Sequence, residues 1–350
     1  MSNRPWLVFT GGFLGAGKTT LIFAGARELE RRGFRTAVIL NDQGDSLVDT
    51  QLARILGLAA GEVTGGCFCC RFSQLMKVLD KLQSHHPHVI FAEPVGSCTD
   101  ISATTLQPIR SAFSSDYQIA PFTVLVDPAR ARTLLAPGAD PDLGFLFKKQ
   151  LEESDLVCFT KSDLYPETPE LGVTSPCQVS AKTGQGVAAW LDELLSGELA
   201  SGTRVLDIDY EQYARAEASL AWMNLQATLE LETPQSPAMV LGPLLDRLDQ
   251  QLTAAAIPIL HLKATDDAPE GFLKAALCAN GQPASVEGAL DASPARQHRL
   301  LVNLRAAASP QRVREIVETE FQRLASGLTH LQISCFQPAA PQPEHRIGSV

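Results

Sequence analysis

Long apolar runs are missing from this sequence. Among its 350 residues no stretch reaches the roughly eighteen uninterrupted apolar positions that a membrane-spanning helix needs. The opening "MSNRPWLVFTGG" lacks the length and the small-residue cleavage site of a secretory signal. Basic charge is short as well. Lysine and arginine total 29 against 39 acidic residues, for a net charge of −10, so neither nucleic acid nor an anionic membrane surface is attracted. Internal repeats are absent. Eight cysteines, five of them scattered, do not make a disulfide framework at this size. The expectation is a cytoplasmic protein with reduced thiols, no membrane partner and no nucleic-acid partner.

What is present is a core-forming composition, 45% hydrophobic and 19% charged, over a length that suggests two domains. Up to about residue 200 short apolar runs alternate with amphipathic stretches. Strands are expected at Trp6–Thr10, Thr36–Leu40, His88–Ala92, Phe122–Val126, Leu156–Thr160 and Cys177–Val179, and helices at Thr19–Arg32, Phe72–Ser84, Leu143–Glu153 and Val187–Leu195. That rhythm predicts an α/β doubly wound, mostly parallel sheet over residues 1–200, with ligands at the carboxyl ends of its strands. After the small-residue stretch "SGELASGT" the pattern becomes strand (220–231), helix (239–255), two or three strands (258–307) and helix (310–325). This reads as a smaller α+β domain over 204–330, of a ferredoxin-like kind, and the proline-rich 331–350 as a flexible tail.

The strongest motif lies between the first strand and the first helix. Gly12, Gly15, Gly17, Lys18 and Thr19 fit G-x-x-x-x-G-K-[ST] in its required context. With Ala16 and Thr20 they form a loop whose N–H groups and helix terminus wrap phosphates. Lys18 is expected at the β- and γ-phosphates, and the Thr19 hydroxyl on magnesium. "TKSD" supplies Thr160, Lys161 and Asp163 at a strand end, and "SAK" supplies Ser180, Ala181 and Lys182. A carboxylate at Asp163 pairs with the ring N–H and amine of guanine, whereas adenine would leave it unsatisfied. Lys161 would lie over the base, and the 180–182 backbone would meet the guanine oxygen. The nucleotide is therefore read as GTP. Glu93 and Asp42 each end a strand. Glu93 is placed as a magnesium-side acid, and either residue has the alternative of capping a helix. No arginine cluster lies between the phosphate loop and residue 160, which disfavours a small-molecule kinase.

"GGCFCC" gathers Cys67, Cys69 and Cys70 behind two glycines. Thiolates suit zinc, copper(I) and, with nitrogen partners, nickel or cobalt. In an extended run Cys70 would point away from the other two, so one ion needs a turn, which Gly65 and Gly66 make easier. Three ligands leave a fourth position open or shared, with Asp42, Glu62, Cys98, His85, His86, His88, water or a partner-chain cysteine as candidates. A redox pair and inert buried thiols are the competing readings. Cys158 reads as core, while Cys177, Cys278 and Cys335 show no partner spacing.

In content and order "GGFLGAGKTT", "ILNDQG", "GGCFCC", "EPVG", "TKSD" and "SAK" resemble the CobW-type metallochaperone GTPases, kin of the urease and hydrogenase accessory GTPases, over about residues 5–195. The resemblance implies a SIMIBI-class P-loop GTPase with slow turnover, with Lys18, Thr19, Glu93 and Asp42 as its catalytic residues and Cys67, Cys69 and Cys70 holding a transition metal, zinc first and cobalt or nickel next. It implies a client metalloprotein or a cobalamin-related protein as partner, and a homodimer in many members. An alternative is a switch that gates a cobalamin-dependent enzyme without moving metal. Three departures stand out: Thr160 where the family usually has Asn, Asp42 where it usually has Glu, and isolated histidines (His261, His298, His330, His345) in place of a histidine-rich stretch.

Overall fold

The structure, a computed structural model, describes residues 4–43, 48–173, 175–324 and 327–348. Two compact units divide the chain. The first takes the chain up to residue 216 together with the segment from 340 onward, and the second takes essentially 217–339.

In chain order the first unit contains β1 (Trp6–Gly12), α1 (Lys18–Arg31), β2 (Thr36–Asn41), α2 (Val48–Ile55), β3 (Ala59–Val63), α3 (Phe72–Gln83) and β4 (Val89–Glu93). A π-helical turn (Ser102–Leu106) leads into α4 (Gln107–Phe113), then β5 (Gln118–Ile119), β6 (Thr123–Val126), α5 (Pro128–Leu135), α6 (Pro141–Glu153), β7 (Leu156–Phe159), β8 (Cys177–Gln178), α7 (Val187–Leu195) and α8 (Tyr210–Ala218). The strands order as β3-β2-β4-β1-β6-β7-β8, with β5 also on β1, and every pairing is parallel. The central strands are apolar and buried along their length, as in "TAVILN" and "TVLV", because helices cover both faces of a parallel sheet. The chain leaves β1 in one direction and later crosses to its other side, so the carboxyl end of β1 lies at the switch point where such sheets bind ligands.

Several elements were not legible in the sequence. β3 is "AAGEV", without branched or aromatic residues, because α3 packs its Val78 directly over Gly61 and leaves no room for a side chain. α5 is a short helix that starts from an Asp127 cap and a proline in its first turn. The structure also corrects the cysteine reading: Cys158 is buried, but it is disulfide-bonded to Cys177. β7 and β8 pair in parallel with these two residues in register, a partnership that 19 residues of separation concealed.

The second unit comprises β9 (Ala221–Gln235), α9 (Pro237–Ala254), β10 (Ile259–Ala268), β11 (Gly271–Leu277), β12 (Ser285–Gly288), β13 (Ala295–Ala306), α10 (Pro310–Gln322) and β14 (Leu328–Phe336). Its sheet is antiparallel, in the order β12-β11-β10-β13-β9-β14. Leu244, Leu248, Val313, Val317 and Phe321 from the two helices pack on Met223, Leu262 and Val302 from the sheet. Without the β11–β12 hairpin this is the βαββαβ arrangement of a ferredoxin-like domain. Between 258 and 307 there are four strands rather than two or three. β14 also runs through 331–336, where a tail was expected, and residues beyond 340 return to the first unit. Likewise the first unit continues past residue 204, because α8 contributes Tyr210 and Tyr213 to it.

Candidate functional site: a phosphate loop and a thiol cluster

The phosphate loop begins where β1 ends. Gly12 takes φ +130°, and a methyl group there would meet the Leu125 carbonyl oxygen at 2.5 Å, so only glycine fits. Gly15 and Gly17 are left-handed as well. No side chain caps α1 at Gly17, so its first N–H groups and positive end are available to an anion. Lys18 is buried and donates to the Gly12 carbonyl at 2.8 Å, across the mouth of the loop. Gly96, from "EPVG", passes so close that a methyl group on it would lie 2.8 Å from the Lys18 Nζ. The Thr19 hydroxyl donates to Asp49 Oδ2 at 3.3 Å. Asp49 sits in the first turn of α2 and was missed, because that helix was not foreseen.

Glu93 ends β4, opposite Leu40 of β2. Asp42 follows β2 and donates its N–H to the Val63 carbonyl. Both acids therefore belong to the carboxyl edge of the sheet, as does the phosphate loop. With Thr19 and Asp49 this edge offers hydroxyl and carboxylate oxygens, the donor chemistry that suits magnesium.

The "TKSD" and "SAK" loops lie side by side at the ends of β7 and β8, joined by the Ser162 N–H donating to the Val179 carbonyl at 3.2 Å. Thr160 is buried, and its hydroxyl donates to the Ala16 carbonyl at 2.8 Å. The departure from Asn thus retains a tie between the base-side loop and the phosphate loop. Lys161 adopts φ +57° and pairs with Asp127 at 2.6 Å, while Asp127 also caps α5. Asp163 and Lys182 are exposed, Ala181 is half-buried and Ser180 is buried. The Ser180 hydroxyl accepts from the Thr183 N–H.

The cysteine run is a turn, not a strand. Cys70 and Arg71 both donate to the Cys67 carbonyl, and Gly65 enters the turn at φ +69°. Cys67, Cys69 and Cys70 present sulfur atoms within 4.8 Å of one another, with Cys67 and Cys69 at 2.8 Å. Asn41, the last residue of β2, pins the turn: its amide donates to Val63 O and Gly66 O, and its oxygen accepts from Phe68 N. Phe68 packs edge-on against Phe9 of β1, with ring centroids 6.0 Å apart. Hydrogen bonds from Cys69, then from Cys70 and Cys98, hold the Cys67 thiol well below its ordinary range. The same sharing pushes Cys69 up and Cys70 up to about 11. The cluster therefore favours a single shared thiolate, with the neighbouring thiols as donors.

Of the candidates for a fourth ligand, Cys98 is the one whose thiol hydrogen-bonds within the cluster. It is 4% exposed, on a loop held by Gln150, which donates to the Gly96 and Cys98 carbonyls. The histidines are not brought in. His85 and His86 are exposed beyond α3. His88 precedes β4, at the opposite end of the sheet, and accepts the Arg35 N–H at its Nδ1.

A family model described as "CobW/HypB/UreG, nucleotide-binding domain" matches residues 6–182. The zinc chaperone YjiA of Escherichia coli K12 is 31% identical over 169 residues, 46% of this chain and 50% of the relative. The zinc chaperone CobW of Sinorhizobium sp. is 29% identical over 227 residues, 53% of this chain and 61% of the relative. The chain thus spans about half the length of the curated relatives it matches. Among solved structures, a Zn(II)-bound triple mutant of the YjiA GTPase matches over 92% of this chain and 99% of its own, at 16% identity and TM-score 0.37. HypB from Helicobacter pylori in complex with nickel matches over 55% and 87%, at 16% identity and TM-score 0.42. The glycine loop between β1 and α1, the "TKSD" and "SAK" loops and the thiol turn between β3 and α3 all lie within the matched residues, and the chain belongs to the CobW/HypB/UreG family.

Proposed function

We propose that this protein hydrolyses GTP and uses the GTP–GDP difference to load and release a thiophilic metal, zinc first, for a client protein. The supporting observation is that one strand end serves both sites. Asn41 clamps the cysteine turn, and the next residue, Asp42, lies at the carboxyl edge of the sheet, where the phosphate loop also lies. A γ-phosphate that shifts Asp42 would bias the thiol turn through Asn41, and by reciprocity the metal would favour GTP by the same factor.

In the nucleotide site, the glycine N–H groups and the α1 terminus bind the phosphates and Lys18 neutralises the β- and γ-oxygens. Asp163 selects guanine, with the Lys161 stem over the base. Thr19, Asp49 and Glu93 would hold magnesium, which, when bound, offsets charge building on the transferring phosphoryl group. Asp42 completes the acidic side of that edge. Cys67, Cys69 and Cys70 bind the cargo, and Cys98 stands next to them as the fourth donor. Zinc is favoured over cobalt and nickel because a set of sulfur donors without imidazole suits it. The named relatives are zinc chaperones.

The test measures zinc dissociation constants with a non-hydrolysable GTP analogue and with GDP. A difference of about 5–150-fold is expected, and replacement of Cys67, Cys69 and Cys70 together by serine should abolish stoichiometric zinc while sparing GTP affinity. Equal zinc constants in the two nucleotide states would sink the carrier reading.

A further inference from the structure

The stretch "QPEHRIG" (342–348) was expected to be tail, yet it runs across the thiol turn. The Gln342 N–H donates to the Cys70 sulfur at 3.2 Å. The Glu344 N–H donates to the Cys69 carbonyl at 2.9 Å. The Glu344 carboxylate accepts from the Ser73 N–H at 2.9 Å and from its hydroxyl at 2.5 Å. α3 has no side-chain cap of its own at Arg71, so Glu344 acts as a cap supplied from 271 residues away. Arg346 then pairs with the buried Asp100 at 2.8 Å and donates to the Leu206 carbonyl at 2.7 Å. The Ile347 N–H donates to the Ala103 carbonyl. Asp100 lies two residues beyond Cys98, so the segment bridges the loops carrying all four thiols.

We propose that residues 342–347 form an intramolecular strap over the cysteine site, and that metal enters and leaves when the strap lifts. Its release from the cargo rests on the metal-carrier reading, but its shielding of the thiols does not. Three features argue for a strap and against fixed core. Gln342, Glu344, His345 and Arg346 are exposed, so little apolar area opposes lifting. The attachments are hydrogen bonds, one ion pair and one edge-on ring contact of His345 with Phe72 at 5.0 Å between centroids, each of modest net strength in water. Apart from the Arg346 hydrogen bond to the Leu206 carbonyl, each attachment is to the turn, to the helix that leaves it, or to the segment after Cys98, so lifting chiefly uncovers the metal site. One anchor also biases closure: Asp100 is buried and shares its charge between Arg346 and the Tyr210 hydroxyl, and opening removes its only cation among the described contacts. A client that offers an acidic residue to the α3 terminus and a cation to Asp100 would compete for the same attachments.

The experiment uses full-length, reduced, metal-free protein and iodoacetamide labelling resolved by mass spectrometry. The double variant Glu344→Ala, Arg346→Ala removes the two Ser73 hydrogen bonds, the Leu206 hydrogen bond and the Asp100 ion pair, and should label at Cys70 at least about tenfold faster than wild type, a ratio that even one such hydrogen bond and the ion pair would bring. Labelling of Cys278, in the second unit, should stay unchanged and so report folding. The zinc-loaded variant should also pass zinc to a chelator faster at unchanged stoichiometry. Unchanged Cys70 labelling and zinc release overturn the strap. If the variant unfolds, hydrogen exchange of the wild type decides: amides of 342–347 protected well above unfolded-chain rates support the strap, and unprotected amides overturn it. A wild type that binds no zinc, with protected thiols, removes the carrier reading and leaves the strap standing. A zinc-binding wild type with freely labelled Cys70 removes the strap alone.

Discussion

The phosphate loop and the thiol cluster are built in opposite ways. The first is one contiguous run, Gly12 to Thr19, whose working parts are backbone N–H groups and one lysine. Its neighbours only hold it in place, as the Thr160 hydroxyl does on Ala16. The second is assembled from separate segments, and its working parts are side chains: the thiols of the turn at 67–70 and Cys98 on the loop after β4, held by Asn41 at the end of β2, by the Gln342 N–H and by Glu344 from far along the chain. A backbone site with positive-φ glycines is rigid once its strand and helix form. A side-chain site can be opened one segment at a time. Such a division suits the proposed carrier, in which the nucleotide would be gripped and the cargo released.

The contrast predicts that each site can be broken without the other. The largest effect is expected for Lys18→Ala, which removes the charge proposed to face the β- and γ-phosphates. GTP turnover should fall by at least about 10²–10³-fold, the loss typical of one preorganised donor, while stoichiometric zinc persists in the absence of nucleotide. Turnover that survives in this variant would place hydrolysis elsewhere. Cys98→Ser addresses the second site alone. It should weaken zinc by at least the roughly tenfold that even an outer-shell partner is worth, shift the cobalt-substituted thiolate absorption, and leave GDP affinity unchanged. Zinc affinity equal to wild type would return the fourth position to water or to a partner chain.

The smallest effect is expected for Thr160→Ala. Loss of its hydrogen bond to Ala16, worth about 1 kcal/mol, should weaken GDP by about fivefold without altering the preference for guanine over adenine nucleotides, because Asp163 remains. Calorimetry with GDP and ADP reads both quantities. If Thr160→Ala abolishes guanine preference instead, the base is read at Thr160 and the role of Asp163 is misplaced.

How much was legible follows the same division. The P-loop, "TKSD" and "SAK" are short runs whose chemistry depends on local spacing, so they stood out before any fold was known. The helices α1, α3 and α7 also declared themselves, through long amphipathic periods. β3 did not, because its small residues answer to Val78 on a neighbouring helix, a demand that no local pattern records. Asp49 was hidden in the same way, since its place beside Thr19 depends on α2.

By itself the sequence determined that a glycine-rich P-loop motif, the "TKSD" and "SAK" runs and a close trio of cysteines occur in one parallel α/β unit, because each rests on residues within a few positions of one another. Tertiary structure alone decided the rest. It joined Cys158 to Cys177 by placing β7 beside β8. It kept His85, His86 and His88 from the thiols by leaving them beyond α3 and at the amino end of β4, and it brought Cys98 to them. It turned an expected tail into the cap of α3 and a hydrogen-bond donor to Cys70. The physical reason is that hydrogen bonds and soft-metal ligation act over about 3–4 Å, and only folding brings residues 70 and 342 within that reach.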